Sequence, residues 1–144
     1  MKNSPIEQFG MQLAETARIW RNKLDQRLKP LGLSQAKWVV LLHLSRCDSD
    51  VTQKELAQKV SIEGPTLVGL LDRLSADGLV ERRESPTDRR SKTVHLTDHG
   101  AGVIQQITRV ARDLRNELFK GIDTTELQRC MQTLEMLRHR LDKI

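Results

Sequence analysis

Three cations stand within four residues at Arg89, Arg90 and Lys92, with Asp88 ahead of them and Ser91 between them. Guanidinium groups carry forked donors that match phosphate oxygens, and Lys adds a point charge, so such a cluster suits a polyanion. An Arg-Arg pair alone is more often a solvated loop than a binding site, so its setting must decide. Pro86 lies just upstream, and the segment from about Glu84 to Ser91 joins two stretches of strand character, Leu79 to Arg83 and Lys92 to Leu96. That connection exceeds the ~2–5 residues of common hairpin loops. The cations therefore belong to a projecting finger.

Other chemistry finds little support. His95 and His99 are four apart, but one falls on a strand and the other in the first turn of a helix, so the one-face geometry of a helical metal pair fails. No nucleophile, base and orienting acid occur at a recognisable spacing, and no Gly-rich phosphate loop is present. Cys47 and Cys130 lack a CxxC neighbour and read as structural thiols, with Arg46 alone placed to favour a Cys47 thiolate. The expectation is a protein that is not an enzyme and needs no cofactor or metal. Two Trp, two Phe and no Tyr leave no row of rings for unstacked bases, which turns the reading away from single strands and towards double-helical DNA.

The elements that would position the finger come from periodicity. The chain has 144 residues, with 38% apolar and 30% charged, which fits one folded domain with a helical extension. Apolar residues at Phe9, Leu13, Ala17, Trp20, Leu24, Leu28 and Leu31 mark a helix over 6–31, closed by Pro30 and Gly32. Ser34 caps a second helix, ended by Asp48-Ser49-Asp50. Thr52-Gln53-Lys54-Glu55 is a capping box opening a short third helix. Pro65 opens a fourth, which buries Val68, Leu71 and Leu74 and stops at Asp77-Gly78. Beyond the two strands, Thr97 caps a long helix halted at Gly121, and Asp123 with Glu126 caps a last one.

The predicted fold is mainly α with a small β part, an α+β winged helix-turn-helix. Residues 32–100 form the winged core, and 1–31 with 101–144 form a helical dimerisation region. The fourth helix can enter a major groove ~12 Å wide, while Arg89 and Arg90 at the wing tip reach the minor groove, where negative potential concentrates. Gln53, Thr66 and Arg73 occupy exposed or helix-end positions suited to backbone or base contacts. The three amphipathic terminal helices present more apolar surface than the winged core can cover. A two-fold copy would cover it, and the alternative is a monomeric bundle.

The ordered set Gly78-Leu79-Val80, Asp88-Arg89-Arg90 and Leu96-Thr97-Asp98-His99-Gly100 resembles the wing signature of the MarR family of bacterial transcription regulators. Ala17-Arg18-Ile19-Trp20-Arg21, Leu28-Lys29-Pro30-Leu31 and the run from Ile62 to Val68 are similar to its SlyA branch. The resemblance implies a homodimer, a pseudo-palindromic operator and often a small aromatic acid that loosens DNA binding. It implies a cytoplasmic protein, found on the bacterial nucleoid when bound to DNA. A start lacking a secretory pattern and the absence of any membrane-length apolar run point the same way. Matched position by position, Arg90 or Arg89 resembles the minor-groove finger, and Ser91 and Lys92 match phosphate-side positions. Asp88 resembles the acid that orients the neighbouring arginine, although it is equally placed as a turn former.

One departure stands out. SlyA-like recognition helices often present an Arg where this chain has Gly69. Without a bidentate guanine reader, specificity is expected to lean on DNA shape and on the wing, with Pro65, Thr66 and Leu70 touching thymine methyls. Effector binding is expected near Trp20, Trp38 and His43, with Arg18 and Arg21 to meet a carboxylate, although plain core packing is the more ordinary role for each Trp. Net charge is +5, yet residues 52–100 carry eight basic and eight acidic groups, so the placement of cations matters more than their number. The competing reading is a ligand or redox sensor whose DNA binding is weak or vestigial.

Overall fold

The computed structural model describes residues 4–47 and 49–144. Asp48, counted among the residues expected to end the second helix, lies outside the described residues. The order is α1 (Pro5–Leu28), a 3-10 turn (Lys29–Leu31), α2 (Gln35–Ser45), β1 (Val51–Thr52), α3 (Gln53–Val60), α4 (Gly64–Ala76), β2 (Val80–Glu84), β3 (Lys92–Leu96), α5 (Asp98–Leu118) and α6 (Thr124–Asp142). Two compact units result, one running to residue 112 and one over 113–144.

Helix ends follow the capping chemistry. Ser4 and Glu7 form a capping box at α1, with bonds of 2.9 and 3.3 Å. The Ser34 hydroxyl accepts from the Lys37 N–H. Thr52 and Glu55 form the expected box, with the Glu55 N–H donating to Thr52 Oγ1 at 3.1 Å and the Thr52 N–H to Glu55 Oε2 at 3.4 Å. At α6 the Asp123 carboxylate accepts from the Thr125 N–H.

The first unit's core gathers Leu24 and Leu28 of α1, Trp38, Val40, Leu41 and Leu44 of α2, and Leu56 of α3. Leu67, Leu70, Leu71 and Leu74 of α4 join them, with Leu79, Val80 and Val94 of the sheet region and Ile107 of α5. The α4 stripe falls at i, i+3, i+4 and i+7, the spacing of one buried helical face. Val68 lies off that stripe and is 38% exposed, a correction to its predicted burial.

The sheet has three antiparallel strands in the order β1-β3-β2. β1 was not expected; two residues are too few to show a period of two. β2 and β3 pair from Val80↔Leu96 to Glu84↔Lys92, and the Ser85 N–H reaches the Ser91 carbonyl at 2.9 Å, extending the hairpin stem into the wing loop. The start of α5 is pinned to the α4–β2 turn. The Thr97 N–H donates to the Leu79 carbonyl at 3.1 Å, and its hydroxyl donates to the Gly78 carbonyl at 2.6 Å. Gly78 itself takes φ +75°, a left-handed conformation suited to glycine. This is a winged helix fold.

Candidate nucleic-acid interface

The wing tip turns over residues 88–91. The Asp88 carboxylate accepts from the Arg90 backbone N–H at 2.9 Å, and the Asp88 carbonyl accepts from the Ser91 N–H at 3.1 Å. Of the two roles open to Asp88, the structure displays the turn-forming one. Arg89, Arg90 and Lys92 are exposed and Ser91 is half-buried, so the three cations stand together at and beside the tip. At the stem the charges are already matched: Arg83 pairs with Glu81 on the same strand. The tip is where cationic donors face solvent.

The second half of the surface is α4, entered after a turn in which Ser61 adopts φ +59°. Its outward face carries Pro65, Thr66, Val68, Asp72 and Arg73, all exposed, with Gly69 half-exposed among them. Leu70 does not belong to that face. It is 7% exposed and part of the buried stripe, so the expected contact between Leu70 and thymine methyls is withdrawn. A Cβ placed on Gly69 would meet nothing within 4 Å. Packing inside the chain therefore does not require glycine here, although a glycine within a helix costs ~1 kcal/mol relative to Ala.

Two further features tie α4 to its surroundings. The Arg82 guanidinium of β2 lies 2.6 Å from an Asp72 carboxylate oxygen, joining the helix to the wing stem. Lys37 of α2 reaches Asp77 at the end of α4 at 2.9 Å. Neither pair was legible in the sequence, because nothing local links residues 10 or 40 positions apart. Gln53, at the start of α3, is half-buried, and its Oε1 is buried without a hydrogen-bond partner. Its acceptor is thus turned into the protein. Lys54 beside it is exposed and was not singled out by the sequence reading.

The residues expected near an effector lie on α1 and α2. Trp38 is 3% exposed, and its indole N–H donates to Asp25 at 2.9 Å, which makes it a satisfied core residue. His43 spends Nδ1–H on the Val39 carbonyl one helical turn back, at 2.9 Å. Arg18 and Arg21 lie exposed on α1 with Trp20 half-buried between them. None of these five residues lines the cavity at the starts of α3 and α4, the one beside β3, or the one between the 3-10 turn and α5. One cavity, of about 370 Å³, lies instead between the 3-10 turn, the end of α4 and the start of α5, with Leu31, Leu79, Val103, His99 and Gln106 on its walls. Sequence reasoning missed it because its walls come from three separated segments.

Of the cysteines, Cys47 is half-buried with Lys59 Nζ 3.8 Å from its sulfur, whereas Cys130, expected to be a structural thiol, is exposed on α6 in the single chain. Among the described residues no cluster of His, Cys, Asp and Glu is arranged to hold a metal ion. Among the same residues, no helix is long and apolar enough to cross a membrane.

Comparison with known proteins places this arrangement. The family model described as MarR family matches residues 31–91, the 3-10 turn through the wing tip. The crystal structure of transcriptional regulator PA3341 is 47% identical, with a TM-score of 0.89 over 94% of this chain and 99% of that one. Wild-type MarR from E. coli, in its apo form, is 30% identical, with a TM-score of 0.75 over 89% of this chain and 95% of that one. CouR from Rhodococcus jostii RHA1, solved with p-coumaroyl-CoA, shares the fold at 24% identity, with a TM-score of 0.80 over 94% of this chain and 95% of that one. With relatives of this identity matched along nearly their whole length, the chain belongs to the MarR family of transcriptional regulators.

Proposed function

We propose that the protein regulates transcription by binding double-stranded DNA as a homodimer on a pseudo-palindromic operator, with no catalytic step. The observation that carries this reading is the exposed cation cluster Arg89, Arg90 and Lys92 on a turn organised by Asp88, beside a helix whose outward face is free of core duties. α4 would lie in the major groove, with Pro65, Thr66, Gly69 and Arg73 towards the bases. The wing arginines would enter the adjacent minor groove, and Ser91, Lys92 and the start of α3 at Gln53 would meet phosphates. The motifs around Ala17–Arg21 and Ile62–Val68 favour the SlyA-like branch, with Gly69 as the departure that shifts specificity towards DNA shape and the wing.

The dimer reading rests on apolar surface that one chain leaves open. On α1, Phe9, Leu13 and Ile19 are exposed; on α6, Met131, Leu137 and Leu141 are, the last at 70%. Residues 1–31 and 101–144 would supply the dimerisation region, setting two recognition helices ~34 Å apart, one turn of DNA. The test combines sedimentation with operator binding. The expected outcome is twice the chain mass, and binding to duplexes selected from a random pool that falls linearly with log salt, at about −0.9 per neutralised phosphate. A monomer, or duplex binding insensitive to salt, would contradict the proposal.

A small aromatic acid as effector remains part of the reading, with its place moved to the 370 Å³ cavity at Leu31, Leu79 and Val103. That volume falls within the ~300–1,000 Å³ of ligand pockets, and His99, Gln106 and an Asp77 whose charge is met by Lys37 add polar groups beside Leu31, Leu79 and Val103. CouR, with its p-coumaroyl-CoA, supports aromatic acyl ligands on this fold. Salicylate is expected to release operator from the wild type, and His99→Ala to raise the concentration needed several-fold. Equal release from both would remove the cavity from the proposal.

A further inference from the structure

We infer that Val68 reads thymine through its C5-methyl group, with the bare backbone of Gly69 giving that methyl room; this rests on the duplex-binding reading above. The outward face of α4 is poor in hydrogen-bonding groups where the helix would first meet the bases. Pro65, Val68 and Gly69 offer only carbon surface and backbone there, and Thr66 alone adds a side-chain hydroxyl. Asp72, one turn on, is held by Arg82, and Arg73 comes only in the third turn. Bidentate recognition of guanine or adenine therefore has no side chain in the first two turns. The base feature that carbon surface can distinguish in the major groove is the methyl group of thymine.

Val68 is suited to that contact. It is the one apolar side chain of α4 among the large exposed hydrophobics, so its methyl groups are available on the face that would meet the bases. It borders an apolar-floored cavity of about 620 Å³ together with Ala57 and Ile62, open between the starts of α3 and α4. Lys54 and Glu63 both line that cavity, and farther along the helix Arg73 adds positive charge beside an Asp72 already paired with Arg82. Beside Val68, the space a Gly69 side chain would take is empty of protein atoms within 4 Å. A glycine that the fold does not need leaves a recess on the exposed face, one methyl deep.

The test uses a duplex selected from a random pool and replaces its thymines one at a time with deoxyuridine, which removes only the methyl group. Wild-type protein is expected to bind about fourfold more weakly at one position in each half-site, the transfer cost of a single buried methyl. Val68→Ala should bind the thymine and deoxyuridine duplexes within twofold of each other there. Gly69→Ala fills the recess from the protein side. It should weaken binding to the thymine duplex and leave the deoxyuridine duplex unaffected. Equal binding of thymine and deoxyuridine at every position overturns the inference, as does a fourfold preference that survives in Val68→Ala. If binding nevertheless stays salt-dependent and sensitive to loss of Arg89 and Arg90, the duplex-binding reading stands without it. Absence of salt-dependent binding to any duplex overturns both.

Discussion

Alanine at both Arg89 and Arg90 is expected to lower operator affinity about 10³-fold while leaving the thermal melt within a degree or so of wild type. The two effects separate because the guanidinium groups sit exposed at a turn whose bonds are made by other atoms. The Asp88 carboxylate holds the backbone N–H of residue 90, and the Asp88 carbonyl holds that of Ser91, so truncating either arginine side chain leaves the turn intact. Exposed substitutions of this kind usually change stability by no more than ~0.5 kcal/mol. On DNA the balance differs. The proposed dimer would present four of these arginines, each expected to release a counterion, and their loss should flatten the log–log salt slope by about 3 to 4. At about 1 kcal/mol net for each solvent-exposed contact, the value of an ordinary hydrogen bond, four contacts give about three orders of magnitude. Fluorescence anisotropy at a series of salt concentrations measures both quantities. Loss of affinity with an unchanged slope would mean that the arginines act through something other than phosphate charge.

What the sequence made legible was whatever local chemistry decides. Thr52 and Glu55 are three residues apart, Ser34 precedes its helix, and Gly78 must take a positive φ after α4. Each of these devices is complete within a few residues and appears in the structure as expected. The wing was equally plain, because its strands frame a loop too long for a tight turn. Errors arose where periodicity admits two answers. Val68, Leu71 and Leu74 follow steps of three, while Leu67, Leu70, Leu71 and Leu74 follow steps of three and four. The second set is the buried one, so Leu70 lies inside and Val68 on the outward face, the reverse of what the first spacing predicts. Long-range partners were beyond reach. For Trp38 the sequence leaves core packing and ligand contact both open, because nothing nearby shows that Asp25, on another helix, receives its N–H. The cavity beside Leu31, Leu79 and Val103 was beyond reach for the same reason, since closure of three segments on one space is a property of packing.

Two glycines of α4 and α5 should respond to alanine with opposite signs, and the larger effect belongs to Gly100. A Cβ there would lie 2.1 Å from the Leu79 carbonyl oxygen, against backbone that has no rotamer to escape into. That carbonyl is also fixed from a second side, because it accepts the Thr97 N–H while Leu79 itself is buried. Relief requires the first turn of α5 to move off the α4–β2 turn, which strains the Thr97 bonds to Leu79 and Gly78 together. Gly100→Ala is therefore expected to cost about 3 kcal/mol, a fall of ~10 °C in Tm, among the larger effects of a single methyl. Gly69→Ala meets open space inside a helix and should gain up to ~1 kcal/mol. Melts followed by circular dichroism distinguish the two, and equal Tm values would show that Leu79 yields where the geometry says it cannot. The contrast assigns the glycines different reasons for being present. Gly100 lets the helix that leaves the wing lie against the end of the helix that would enter DNA, so its loss disturbs the frame holding wing and helix at a common angle. Gly69 gives up stability within its own helix, and whatever selects it must act on the outward face.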